Sequence, residues 1–163
     1  MNPWILISGH FFHVIGTVVW IGGILMTLLV ILPGSKAAIE SSSMVGGLMK
    51  EVAKRFTPLA NISILLLIAT GIIIFYYDKN YKSFIDMNNR RNMLIALKHF
   101  IVAIMIIIHF YRGLILIPKI EKFSPRPNEI QPTRLKKLSL ALLKANFVLG
   151  GIVLLLTAAL ISI

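Results

Sequence analysis

Four histidines are the residues most able to do chemistry in this chain, and none sits in a polar stretch. His10 and His13 fall in "HFFHVIGTVVWIGG" (10–23), and His99 and His109 fall in "KHFIVAIMIIIHF" (98–110). An ionisable side chain is costly in a bilayer, so those that occur there face the protein interior and serve binding or transfer. Neutral imidazoles can ligate iron or copper. Their usual competitors are missing. There is no cysteine, which excludes disulfides, iron–sulfur clusters, thiolate zinc sites and covalently attached c-type haem. No Asp or Glu lies within the apolar spans, so a di-iron carboxylate site is excluded on ligand grounds. What remains is an iron porphyrin held by imidazole, or copper held by imidazole and thioether. Met26, Met93 and Met105 fall in the same spans as the histidines, without forming a tight His/Met cluster in sequence.

The spacing sharpens this reading. His10 and His13 are three residues apart and share a helix face, and Trp20 lies seven beyond His13 on that face. Gly16 and the Gly22–Gly23 pair flank the stripe, and small residues let a neighbouring helix or a flat ring approach closely. His99 and His109 point about 80° apart on an ideal helix. At 1.5 Å per residue His10 and His13 lie about 10 and 15 Å below Pro3, His99 about 10 Å below Asn92 and His109 about 25 Å below it. A bis-histidine haem pairs ligands at similar depth, so His10 or His13 with His99 is the natural pair. His109 with His13 stays open if the third helix enters the membrane later. Lys98 is deep enough to cost about 2.5–3.5 kcal/mol on insertion; it either meets a haem propionate or snorkels to the headgroups. Asn61, Thr70 and Asn146 read as interhelical hydrogen bonds, and Arg112 and Lys144 as snorkelling cations.

The elements that position these groups follow from hydropathy. The chain has 163 residues, is 57% hydrophobic and 14% charged, with a mean hydropathy of +0.85. No charged residue occurs from Asn2 to Ser35 or from Phe56 to Tyr77. Runs of about 18 or more apolar residues read as membrane-spanning helices. Four spans are expected, near 3–32, 53–77, 92–118 and 138–163, forming an all-α integral membrane four-helix bundle that is one domain over 1–163. The start lacks a basic region, so no cleavable signal is expected. No internal repeat is apparent.

The net charge of +11 resides almost wholly in the connections, where it serves topology and anionic headgroups rather than nucleic acid. The first and third connections carry Lys36, Lys50, Lys54, Arg55, Lys119, Lys122, Arg126, Arg134, Lys136 and Lys137; the second carries Lys79, Lys82, Arg90 and Arg91. The positive-inside rule then places both termini of this multi-pass protein outside, and an inner-membrane location is the expectation. With so little mass outside the bilayer, a second copy or the other subunits of a redox complex are the expected partners.

Three stretches carry a resemblance. "HVIGTVVWIGG" (13–23) resembles the first-helix motif of the copper-resistance D (CopD) family, a histidine seven before a Trp that is followed by Gly-Gly. "RFTPLANISILLLIATG" (55–71) resembles that family's second helix. The third span is similar to that of the related HemJ-type protoporphyrinogen oxidases, with a lysine and a histidine eleven residues later, as Lys98 and His109 are. Those proteins share the His-to-Trp spacing of the first helix. The HemJ-type resemblance implies b-type haem and protoporphyrinogen oxidation, with His13, Lys98 and His109 as matching positions. The CopD-type resemblance implies copper uptake across the inner membrane, with His13 and Trp20 as the matched positions. The reading favoured here is a b-type haem protein for electron transfer. His13 is its first ligand, His99 or His109 lies opposite, and His10 is the support or second ligand. Trp20 and Gly16 pack the ring. The oxidase, a copper transport or tolerance protein, and a purely structural subunit are the alternatives.

Overall fold

The computed structural model describes residues 3–77, 89–123 and 131–162. Six α-helices account for nearly all of them: α1 (Pro3–Met26), α2 (Leu32–Ala38), α3 (Ser42–Tyr77), α4 (Arg90–Phe110), α5 (Ile117–Phe123) and α6 (Gln131–Ile161). Two short π-helical segments, Thr27–Ile31 and Tyr111–Leu116, join α1 to α2 and α4 to α5 without a break. The result is four continuous rods, Pro3–Ala38, Ser42–Tyr77, Arg90–Lys122 and Arg134–Ile161, each long and apolar enough to cross a membrane. This is an all-α, multi-pass membrane protein surrounded by lipid.

The rods are longer than the hydropathy spans. At 1.5 Å per residue the 36 residues of α3 reach about 54 Å, against a hydrocarbon core of about 30 Å. Hydropathy reports where the bilayer is, not where the helix stops. The polar run "SSMVGGLMKEVAK" keeps winding because Ser41 caps it: the Ser41 carbonyl accepts from Val45 N at 3.1 Å, and Ser41 Oγ accepts from Met44 N at 3.4 Å. The first connection therefore shrinks to residues 39–41. The second, 78–88, and residues 124–130 of the third lie outside the described residues.

The chain divides into two compact units, Met1–Lys82 and Ser83–Ile163. In the first, α1 packs along α3; in the second, α4 packs along α6. Each unit is a helical hairpin, and the two share a plan. Each π-helical segment ends just before a proline, Pro33 in the first hairpin and Pro118 in the second. Counting thirteen residues back from each proline reaches Trp20 and Met105, both fully buried; two residues back the match is looser, with Ile31 half-buried and Leu116 buried. On the returning helices, Ala60, Ser63 and Thr70 are buried at the same spacing as Leu143, Asn146 and Val153. This equivalence of burial is invisible in residue identity. It is the repeat that the sequence, read alone, conceals.

Polar side chains inside the rods close on their own helix. Thr17, Thr27, Thr57, Thr70 and Thr157 each donate to the carbonyl four residues back, at 2.6–2.9 Å. In lipid no water would otherwise satisfy these hydroxyls.

Candidate functional site

In the first hairpin one seam of α1 faces α3. Gly9, Gly16, Trp20 and Thr27 are buried along it and His13 is half-buried, a spacing of three and four that follows one side of a helix. The glycines set the distance of approach. A Cβ on Gly16 would stand 3.1 Å from Leu67 Cγ and 3.2 Å from the Ser63 carbonyl, and one on Gly23 would overlap the ring of Phe56. Trp20, 1% exposed, is sealed between these points, whereas Val18 on the opposite face is 63% exposed.

His13 is the one titratable side chain on this seam, and α3 holds it. His13 Nδ1 lies 2.9 Å from Thr70 Oγ1. The Thr70 hydroxyl hydrogen is directed to the Leu66 carbonyl at 2.6 Å, so Oγ1 meets the imidazole with a lone pair and Nδ1–H donates. Nε2 of the neutral ring is thereby left as the basic nitrogen. Metal-ligating histidines are oriented in this way, by a hydrogen bond on the other ring nitrogen. Gly71 lies beside the ring: an added Cβ there would stand 3.9 Å from His13 Cε1, in ordinary van der Waals contact.

The remaining sequence-derived residues divide by burial. His10 is exposed and off the seam, its Nδ1–H donating to the Leu6 carbonyl at 2.9 Å. In the second hairpin His99 is exposed on α4, donating from Nδ1 to the Ile95 carbonyl at 2.7 Å. His109 is buried at 9% exposure on the same helix, and Lys98 is half-buried. Each carbonyl can only accept, so His10 and His99 carry the same tautomer as His13. Gly16 is occupied by helix packing against Ser63 and Leu67.

Sequence reasoning placed Thr70 and Asn146 as interhelical hydrogen-bonding residues. Thr70 meets His13, and buried Asn146 donates from Nδ2 to the Met105 carbonyl of α4 at 3.2 Å. Ser63, Gly71, Phe56 and Ser139 were not singled out. The closing Thr-Gly of the second-helix motif was the available signal for Gly71; nothing marks Phe56 or Ser139, because their roles depend on which residue lies opposite. Among the described residues no three of His, Cys, Asp or Glu lie together as a metal-holding group.

Comparison with known proteins gives the site its context. Residues 50–160, more than half of the chain, match the family described as copper resistance protein D. Comparisons with curated proteins and with solved structures gave no match. The matched stretch takes in Thr70, Gly71 and all but the last few residues of the second hairpin, while His13 and Trp20 precede it. Four membrane-crossing helices and this match agree with the resemblance seen in the first two helices: the chain belongs to the copper resistance protein D (CopD) family.

Proposed function

We propose that this protein binds b-type haem in the membrane and serves electron transfer, with His13 as the residue that would hold it first. The observation that carries the reading is the His13–Thr70 pair. It orients an imidazole at 2.9 Å and leaves Nε2 as the donor atom, inside a seam closed by Trp20 and glycines. A haem can be held by imidazole nitrogens of this kind. Bound haem would supply a one-electron couple, tuned by its axial ligands and by the apolar surroundings. The chain's part is to fix the imidazole, choose its tautomer through Thr70 and exclude water. His10, His99 and His109 are the further candidates to hold the haem, and Lys98 would meet a propionate.

Visible absorption of the detergent-purified protein, in air and after dithionite, tests this. A Soret band with sharpened α and β bands on reduction is expected, and His13→Ala should remove most of the bound haem. Full haem content with an unchanged reduced spectrum in His13→Ala would overturn the assignment.

The family match favours a second reading, in which copper is the cargo and His13 Nε2 one of its ligands. A colourless protein from haem-replete cells, together with a change in whole-cell copper when the gene is removed, would establish that reading over the first.

A further inference from the structure

In the second hairpin a guanidinium lies where the first hairpin has a hydroxyl. Six residues before Pro118 is Arg112; six before Pro33 is Thr27. Thr27 closes on its own helix through the Gly23 carbonyl at 2.7 Å, so the hairpin plan itself requires no cation at this position. Arg112, half-buried, reaches across to α6 instead, and its Nε–H donates to Ser139 Oγ at 3.0 Å. No carboxylate reaches it among the described residues. Anchoring Nε fixes the plane of the guanidinium and leaves the two terminal amino groups to act as a fork, the geometry that recognises two oxygens of one phosphate.

The depth of the pair suits a lipid. Arg91 and Arg112 are separated by about 32 Å along the rod, which is close to the thickness of the hydrocarbon core. If Arg91 marks one boundary, Arg112 and Ser139 stand at the phosphate level of the other. Beyond that level α5 packs on α6, bringing Lys119 and Lys122 to the same end as Arg134, Lys136 and Lys137, with Glu121 as the one acid among the described residues there. Basic pockets of this kind at a membrane boundary bind anionic head groups.

We propose that Arg112 and Ser139 form a specific site for the phosphate of an anionic phospholipid, with the guanidinium fork on the phosphate oxygens and the surrounding lysines favouring a negatively charged head group. The site lies within one hairpin and does not depend on the haem reading.

Native mass spectrometry of the full-length protein, titrated in detergent with phosphatidylglycerol or phosphatidylcholine, tests it. The wild type should retain phosphatidylglycerol in preference to phosphatidylcholine. Arg112→Gln should weaken that retention about tenfold, the scale of one charge-assisted hydrogen-bonded pair. Arg112→Lys should restore part of it. Ser139→Ala keeps the charge and loses the anchor, so it should fall between wild type and Arg112→Gln while circular dichroism stays helical. Lys122→Gln and Lys136→Gln should each narrow the preference for phosphatidylglycerol over phosphatidylcholine, while costing less total retention than Arg112→Gln. Equal losses from all the basic substitutions would show diffuse attraction and overturn the site. Displacement of the lipid by millimolar inorganic phosphate would assign the fork to free phosphate. Loss of haem with full lipid retention in Arg112→Gln would assign it to a cofactor carboxylate; either result overturns the lipid proposal.

Discussion

The two hairpins solve one packing problem with different chemistry. In the first, α1 and α3 come together by shape: glycines at 16 and 23 admit Leu67 and the Phe56 ring, and Trp20 fills the centre. The His13–Thr70 pair adds a polar cross-link near one end of the seam. In the second, Met105 stands where Trp20 does, and polar cross-links join the helices: Asn146 to the Met105 carbonyl and Arg112 to Ser139. In lipid, where helix association depends on close packing and hydrogen bonds rather than on the hydrophobic effect, both routes are open. The shape-closed hairpin holds its imidazole against a rigid seam. The polar-closed hairpin concentrates its ionisable groups, Lys98, His109 and Arg112, on the rod that also carries the π-helical segment.

The sharpest way to break this contrast is at Gly23. Gly23→Leu places a side chain in the volume of the Phe56 ring; overpacking costs typically about 1–3 kcal/mol, and here the intruder meets a ring that α3 holds. Thermal unfolding in detergent should show a large loss of stability. A matching Ile108→Leu, ten residues before Pro118 as Gly23 is before Pro33, should leave the second hairpin nearly unchanged.

A smaller effect separates scaffold from site. Thr70→Val keeps the branched shape and removes the acceptor of His13 Nδ1–H. Loss of a partner that orients a ligand histidine typically weakens metal binding by about 10–100-fold, so retention of the proposed haem on dilution should fall while the unfolding midpoint moves little. Thr70→Ser should restore retention, which a purely packing role for Thr70 would not require.

The smallest effect belongs to the second hairpin. Asn146→Leu removes the bond to the Met105 carbonyl, and interhelical hydrogen bonds in membranes average about 0.6 kcal/mol. A shift of that size in unfolding free energy would show that Asn146 contributes as one ordinary cross-link. A loss of several kcal/mol would mean that this hairpin relies on its polar contacts far more than the comparison implies.

Much of the architecture was legible from residues alone. Uncharged runs around "HFFHVIGTVVWIGG" and "NISILLLIATG" have one stable arrangement in a bilayer, a helix that satisfies its own backbone, so four crossings and the all-α class follow from composition and length. The histidines stood out for a related reason, since an imidazole in such a run is costly and so reads as a candidate site. The extent of the rods was not legible, because the Ser41 cap and the polar turns after it carry no hydropathy signal.

What only the tertiary structure decided is which side chain lies opposite which. His10 and His13 are equivalent in spacing terms, yet one faces outward and the other meets Thr70, since three residues turn a helix about 60° short of a full circle. Gly16 reads equally well as the floor of a ring site or as a crossing point, and contact with Ser63 and Leu67 makes it a crossing point. The common plan of the hairpins was hidden because burial, not identity, is what repeats: Trp20 and Met105 share a place without sharing chemistry. Local sequence determines the helix and its apolar faces through backbone hydrogen bonding and hydropathy, which act within a few residues. The tautomer of His13 and the plane of the Arg112 guanidinium depend on partners 57 and 27 residues away, so only the packed hairpins could set them.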